Sequence, residues 1–126
     1  MSWQPYVDDN LMGTGYFSDA AILGQLGGVW ASSPNFNVTP EEQDSLTKGF
    51  DDSEAIQASG IRLANVKYLT IVTNERSIYG KKGGTGCICV KTKQAVVVAV
   101  YKAGVQPGEA TKAAESFADF LINSGL

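Results

Sequence analysis

Apolar residues between positions 66 and 101 fall into short runs separated by polar gaps, a pattern typical of consecutive strands. The first run covers residues 66–73, the second residues 86–92 and the last residues 95–101, and residues 77–82 predict a further strand. β-Branched and aromatic residues fill the runs, as strands favour. The gaps are too short for a crossover helix, so we expect neighbouring strands to run antiparallel.

The run at residues 95–101 is apolar on both sides of its pleat, which indicates a strand covered on both faces. The predicted fold class is therefore α+β, with a central antiparallel sheet and helices above and below it. The N-terminus supplies one helix, for which Ser2 is a suitable N-cap. Its apolar face recurs with helical period before two glycines end it, at Trp3, Tyr6, Val7, Asn10 and Leu11.

Turn and cap signals define the elements that follow. Residues 20–24 and 29–31 flank a glycine turn and predict a hairpin. Thr39, Pro40 and Glu42 have the spacing of an N-cap, a first-turn proline and a capping box. Together they predict the start of a helix. A second short helix is predicted at residues 53–58, closed by Gly60, and a short strand at residues 61–63.

The last helix is predicted at residues 109–123. Its inner stripe consists of Ala110, Ala113, Ala114, Phe117 and Leu121. Phe120 lies at the border of that stripe. Lys112, Glu115 and Asp119 are assigned to the outer face.

A length of 126 residues with 44% hydrophobic residues predicts one globular domain over residues 1–126. No apolar run approaches the roughly 20 residues of a membrane span, and we expect no secretion signal, because no charged-then-apolar leader precedes the first helix. Cys87 and Cys89 are two apart on one strand, about 6.6 Å, which is poor geometry for a disulfide. We interpret them as small buried hydrophobes rather than a redox or metal site. Two reduced thiols fit a cytosolic protein.

The motifs of enzymes are missing from this sequence. Histidine is absent, which removes the commonest general base and metal ligand. Residues 80–86 combine glycines with lysines but lack the Gly-Lys-Ser/Thr ending and the following helix of a phosphate loop. The sequence therefore predicts no enzyme, no cofactor and no metal site.

Charge is distributed unevenly along the chain. Residues 1–61 carry nine acidic residues and one basic residue, whereas residues 62–102 carry eight basic residues and one acidic residue. One interpretation is a sheet edge protected by lysines. The other is a basic face for an acidic protein or an anionic lipid. Nucleic acid is a poorer candidate, because the net charge of the chain is −3.

Three aromatic residues have two interpretations from the sequence alone. Trp3 and Tyr6 are either core residues or half-exposed ligand contacts, because Trp3 lies too near a chain end for easy complete burial. Trp30 lies on the second hairpin strand, where a tryptophan is more often part of the core.

Four segments resemble the profilin family. They are the opening at residues 1–8 (Met-Ser-Trp-Gln-x-Tyr-Val-Asp), residues 21–31 (Ala-Ile-Leu-Gly then Val-Trp-Ala), residues 77–83 (Ser-Ile-Tyr-Gly-Lys-Lys-Gly) and residues 118–125 (Ala-Asp-x-Leu-Ile-x-x-Gly). The resemblance covers the whole chain in one register. It implies a layered fold with the N- and C-terminal helices together on one face of the sheet and shorter helices on the other.

The resemblance also implies function. It implies a monomeric cytoplasmic protein of the cytoskeleton that binds monomeric actin, suppressing polymerisation at high concentration and aiding it at low concentration. It implies a separate aromatic groove for poly-proline, formed here by Trp3, Tyr6, Trp30, Phe120 and Leu126. It implies affinity for phosphatidylinositol bisphosphate as well.

The family's actin-binding face uses the strands around the basic segment and the start of the last helix. By position this implies Lys67, Arg76, Tyr79, Lys81, Lys82, Lys91, Thr111, Lys112 and Glu115. The phosphoinositide-binding residues are expected to be Arg76, Lys81, Lys82 and Lys91. A membrane-surface module that uses only these basic residues is the main alternative to an actin-binding adaptor.

Overall fold

The computed structural model describes residues 2–126, and a seven-stranded antiparallel sheet is the centre of this part of the chain. The strand order across the sheet is β2-β1-β7-β6-β5-β4-β3. The strands are β1 (Phe17–Gly24), β2 (Val29–Ser32), β3 (Ile61–Leu63), β4 (Val66–Thr73), β5 (Ser77–Lys82), β6 (Thr85–Lys91) and β7 (Ala95–Tyr101). The helices are an N-terminal π-helix (Tyr6–Leu11) with a following 3₁₀ turn (Met12–Thr14), then α1 (Pro40–Gly49), α2 (Ser53–Ser59) and α3 (Pro107–Asn123).

Strand β7 lies in the middle of the sheet and is buried on both faces. It pairs antiparallel with β1 on one edge and with β6 on the other. All seven of its residues are buried. The prediction of a strand covered on both sides is therefore confirmed, and so are the antiparallel strands around it.

Each face of the sheet carries its own apolar layer. On one face, Val7 and Leu11 of the N-terminal helix pack with Ala114 and Leu121 of α3. On the other face, Leu46, Phe50 and Ile56 from α1 and α2 and the loop between them pack against the strands. The predicted α+β architecture is confirmed, including the placement of both terminal helices on the same face.

The N-terminal helix differs from the prediction in its cap, its type and one residue of its apolar face. The Ser2 hydroxyl accepts a hydrogen bond from the Gln4 N–H (3.3 Å), but the residue at the N-cap position of the π-helix is Pro5, so Ser2 does not cap it as predicted. Residues 6–11 then form a π-helix, whose turn is wider than an α-turn. Val7 and Leu11 are buried, but Asn10 is exposed, so its assignment to the apolar face was wrong.

The start of α1 is tied to the β3–β4 turn by one buried carboxylate. Thr39 and Glu42 form the predicted capping box, with the Glu42 carboxylate accepting the Thr39 N–H (2.9 Å). The same carboxylate accepts the N–H groups of Ala64 (2.9 Å) and Asn65 (2.8 Å). Both turn residues have positive φ, 50° and 66°, a conformation that costs energy for residues other than glycine. Glu42 therefore holds a strained turn against the helix.

Cys87 and Cys89 are both free and fully buried, and they face the layer formed by α1 and α2. A hydrogen bond with Cys87 and burial raise the pKa of the Cys89 thiol. The interpretation of both residues as buried hydrophobes agrees with this packing. Across residues 2–126, no helix is long and apolar enough to cross a membrane.

We predict that Glu42→Ala lowers the free energy of unfolding more than Thr39→Ala does. Loss of the Thr39 cap costs about 1 kcal/mol. Loss of the charged acceptor leaves three N–H groups without their partner and is expected to cost roughly 2–3 kcal/mol. Urea denaturation of the two variants measures the difference. Equal losses would show that Glu42 stabilises only the helix start and not the β3–β4 turn.

Candidate functional site

Four aromatic rings line a trough between the N-terminal helix, β2 and α3. The ring centroid of Trp3 lies 4.9 Å from that of Trp30 and 5.7 Å from that of Tyr6. Tyr6 in turn lies 6.0 Å from Phe120. These spacings are those of tilted and edge-to-face aromatic pairs. The structure thus brings together residues that are 117 positions apart in the chain, and we call Trp3, Tyr6, Trp30 and Phe120 the aromatic trough.

The aromatic trough is open to solvent. Trp30 is 39% exposed and Phe120 is 47% exposed, while Trp3 and Tyr6 are partly buried. The expectation that a strand tryptophan belongs to the core was therefore wrong for Trp30. Beneath the trough, the buried Phe117 ring contacts both Tyr6 (5.8 Å) and Phe120 (6.1 Å). The apolar layer of the sheet therefore continues into an exposed aromatic surface.

Two local features position the rings. The Trp30 indole lies directly over Gly24 of β1, where a Cβ atom would come within 2.8 Å of the indole Nε1 and Cε2 atoms. Only glycine permits this close approach. The Gln4 side-chain amide donates to the Ser32 carbonyl (2.9 Å), which ties the N-terminal helix to β2 and holds Trp3 beside Trp30.

Leu126 lies near these rings without stacking on them. It is half-buried and packs against the same apolar layer. Its carbonyl oxygen accepts hydrogen bonds from the Gln94 N–H (2.8 Å) and the Thr92 hydroxyl (3.0 Å). The last residue is therefore held at the β6–β7 turn.

A second exposed surface lies on β4 and β5, beside α3. Leu69 is 68% exposed, and Ile71 and Val72 are exposed as well. Leu69 pairs with Lys81 and Val72 pairs with Tyr79, so these side chains share the α3 side of the sheet. The helix α3 packs over β6 and β7 and leaves this part of the sheet uncovered. We call it the β4–β5 face.

The apolar residues of the β4–β5 face were missed by the sequence reasoning, which placed only Tyr79, Thr111 and charged residues there. The run at residues 66–73 resembles an ordinary buried strand. One signal was present, because Lys67 lies two positions before Leu69 and strand alternation puts both on the same side. A lysine there indicates a solvated face.

The basic residues do not form one cluster. Lys67 and Lys81 lie beside Leu69, and Lys82 lies at the β5–β6 hairpin. Arg76 lies before the other end of β5, where its carbonyl accepts the Lys91 N–H (2.7 Å). Lys81 is five positions after Arg76, roughly 16 Å along an extended strand. The four predicted phosphoinositide residues are therefore divided between the two ends of β5.

Edge protection does not explain these lysines. The strands β5 and β6 lie inside the sheet, and the edge strand on that side is β3. Within β3, Arg62 is the basic residue. The interpretation that the basic segment protects a sheet edge was wrong, because the sheet continues through β4 and β3.

Glu115 joins α3 to β5, and its assignment to the outer face of the helix was wrong. Its carboxylate forms an ion pair with the Arg76 guanidinium (2.9 Å) and accepts hydrogen bonds from the hydroxyls of Ser77 (2.6 Å) and Tyr79. Asp119 forms a second ion pair with Arg76 (2.8 Å). The Arg76 charge is thus neutralised within the molecule.

The environment of this cluster shifts two pKa values. Burial, followed by the hydrogen bond to Glu115, raises the pKa of Tyr79 to about 12. The hydrogen bond with Asp119 raises the pKa of Arg76 further above its usual value. Tyr79 therefore remains a neutral hydrogen-bond donor, and Arg76 remains a cation at physiological pH.

The other two α3 residues lie apart from each other. Thr111 is four residues before Glu115 and so shares its side of the helix, and its hydroxyl donates to the Pro107 carbonyl (2.7 Å). Lys112 borders a separate surface hollow with Tyr16 and Ala113. Thr111 thus adjoins the β4–β5 face, whereas Lys112 extends toward the start of β1.

The glycine-lysine segment at residues 80–86 forms the end of β5, the turn and the start of β6. A strand and not a helix follows the turn directly, so the segment is a hairpin and not a phosphate loop, as predicted. Within residues 2–126, no three Cys, Asp or Glu side chains come close enough to hold a metal ion together.

Comparison with known proteins identifies similar molecules. A model of the profilin family matches residues 1–126. Profilin-1B of Acanthamoeba castellanii is 50% identical over 126 residues, covering 100% of both chains. The solved structure of Acanthamoeba castellanii profilin IB has a TM-score of 0.96 at 50% identity, covering 99% of this chain and 100% of that one. Mouse profilin IIa in complex with a double repeat from the FH1 domain of mDia1 has a TM-score of 0.84 at 30% identity, covering 100% of both chains.

We predict that Glu115→Gln destabilises the protein more than Asp119→Asn does. The Glu115 side chain is 23% exposed and has three partners, so its loss should cost roughly 1–2 kcal/mol. The Asp119 side chain is 58% exposed, and its ion pair should contribute about 0.5 kcal/mol or less. Urea denaturation of the two variants at low and high salt measures how much unfolding free energy each one loses. A larger loss for Asp119→Asn would contradict the assignment of Glu115 as the main link.

Proposed function

Because this chain belongs to the profilin family, we propose that it binds monomeric actin on the β4–β5 face and proline-rich segments in the aromatic trough. Profilins are actin-binding proteins and not enzymes. The observation that carries the proposal is the set of four open aromatic rings on one side of α3 and an uncovered apolar sheet surface on the other. Such a protein acts as a cytoplasmic adaptor of the cytoskeleton and as a monomer.

The aromatic trough suits a proline-rich ligand. A polyproline II helix presents rigid pyrrolidine rings, has no internal hydrogen bonds and has little conformational freedom left to lose. Half-exposed rings that already contact one another need no rearrangement to receive it. The indole N–H groups of Trp3 and Trp30 and the Tyr6 hydroxyl are the donors suited to its carbonyl groups. The mouse relative in complex with a proline-rich FH1 repeat supports the same ligand class here.

The β4–β5 face suits a protein partner. Leu69, Ile71 and Val72 form an apolar centre, and Lys67 and Lys81 lie at its rim. An apolar centre with a charged rim is the usual anatomy of a protein interface. The rim lysines favour an acidic partner and speed its association. Tyr79, Thr111 and Glu115 extend the face toward α3, and Arg76 and Lys82 lie near the two ends of β5. Lys91 borders Phe50 and Val96 on the α1–α2 side and Lys112 extends toward the start of β1, so neither adjoins this face.

We propose phosphatidylinositol bisphosphate as a competing ligand of the same rim. Lys81 and Lys82 at the β5–β6 hairpin are exposed and are the main candidates, each contributing roughly 1 kcal/mol near an anionic surface. Arg76 and Lys91 lie near the other end of β5 but on opposite faces of the sheet, because Arg76 contacts Glu115 of α3 whereas Lys91 borders Phe50 and Val96 on the α1–α2 side. Arg76 is also already neutralised. Competition between lipid and actin would release actin at a membrane surface that carries this lipid. As a separate part of the proposal, the protein suppresses actin polymerisation at high concentration and aids it at low concentration.

We predict that Trp3→Ala weakens binding of a proline decamer by about 2 kcal/mol, roughly 30-fold, because it removes a ring from the centre of the trough. Actin binding should be unchanged, since the β4–β5 face lies on the other side of α3. Fluorescence titration measures the first effect and sedimentation with actin the second. A folded Trp3→Ala protein that binds the decamer with unchanged affinity would exclude the trough as the site.

We predict that Lys81→Glu weakens actin binding roughly tenfold, and that adding Lys82→Glu weakens it further, because repulsion replaces attraction at the rim. Binding to phosphoinositide vesicles should fall in parallel, and decamer binding should be unchanged. Lys48→Glu is the control, since Lys48 is an exposed lysine of α1 on the opposite face of the sheet. Actin affinity equal to that of wild type in the double variant would exclude this rim.

A further inference from the structure

A hollow of about 400 Å³ continues the aromatic trough beyond Trp30. The β1–β2 turn forms one wall, the β6–β7 turn forms another, and the Trp30 indole lies between the hollow and the trough. The Trp30 ring lies 4.9 Å from the Trp3 ring, measured between centroids, and the Trp30 Nε1 atom lies over Gly24 at the hollow. A peptide that leaves the trough over Trp30 therefore enters the hollow directly.

The apolar wall of the hollow is Leu26, which is fully exposed at the hairpin tip. The turn that presents it is rigidly held. The Gln25 N–H donates to the Gln94 carbonyl (3.1 Å), and the Gly28 N–H donates to the buried Gln43 side chain (2.8 Å). An exposed leucine on a fixed turn can contact a ligand with little loss of conformational entropy.

The polar wall of the hollow is Lys93. It is exposed, and it takes part in none of the ion pairs found within residues 2–126, which join Lys48 to Asp44 and Arg76 to Glu115 and Asp119. The Leu126 carbonyl oxygen nearby is bound by the Gln94 N–H and the Thr92 hydroxyl, not by Lys93. The ammonium group therefore remains available to a ligand carboxylate at the end of the trough.

We propose that this hollow reads the flank of the proline-rich ligand, taking an apolar residue against Leu26 and an acidic residue against Lys93. The inference rests on the proposed binding of proline-rich segments in the aromatic trough. It adds a determinant of partner choice, because bare proline runs occupy only the trough. Partners in which an apolar-acidic pair adjoins the prolines are preferred over partners with a basic flank.

The test compares three kinds of peptide in a fluorescence or calorimetric titration. One is a bare proline decamer, one carries Leu and Glu next to the prolines, and one carries Leu and Lys there, with the flank placed at either end in separate peptides. With the wild-type protein, the acidic flank at one end should bind about threefold tighter than the basic flank, the scale of an exposed ion pair. Raising the salt concentration should reduce this preference.

Two charge reversals make the test specific. Lys93→Glu should reverse the preference for the acidic flank and leave the bare decamer unaffected. Lys102→Glu is the matched control, because Lys102 is also exposed but follows the opposite end of β7, and it should retain the preference. Leu26→Ser should remove the contribution of the apolar residue.

The outcomes separate the two proposals. A bare decamer that does not bind would overturn the proposed function, and this inference with it. A decamer that binds while wild type shows no flank preference at either end would overturn only the role of the hollow. That role would also be overturned if Lys93→Glu and Lys102→Glu changed the preference equally, since an equal change would be a general effect of net charge.

Discussion

Burial of β7 between two apolar layers fixes where both candidate surfaces lie. Val97 and Ala99 face the terminal helices, and Val96 and Val98 face α1 and α2. The helix α3 packs mainly over β6 and β7, which leaves β4 on one flank and β2 on the other largely uncovered by it. The N-terminal helix fills the second flank and forms the aromatic trough with α3. The first flank stays open, and the exposed apolar residues of β4 lie there.

The helix α3 is consequently a shared wall of two surfaces. Phe120 contributes to the aromatic trough, and Glu115 anchors the side next to the β4–β5 face through Arg76, Ser77 and Tyr79. Five residues along an α-helix correspond to about 7.5 Å of rise and 140° of rotation. The two residues therefore point to different flanks of α3, and both surfaces include side chains of this helix.

The sequence predicted what local chemistry determines. The two-sided strand β7, the capping box at Thr39 and Glu42, and the glycine hairpin were correct because period, cap spacing and turn residues act over a few positions. Exposure of Trp30 was not predictable in this way, because it depends on how far the N-terminal helix and α3 extend over the sheet. For Leu69, the neighbouring Lys67 was the one local signal. The partner of Glu115 and the separation of the lysines depend on strand order, which the residues alone do not reveal. The four trough residues were placed by family resemblance, and the structure brings their rings together.

The two outermost strands are the shortest in the sheet, with four residues in β2 and three in β3. A row that short offers few unpaired N–H and C=O groups to a second molecule, so edge-to-edge stacking into fibrils gains little at either end. Short edge strands therefore limit edge-to-edge pairing without lysines on β5 and β6. The lysines of β5 and β6 protect no sheet edge, so their number and positions can vary with the ligands that the protein binds.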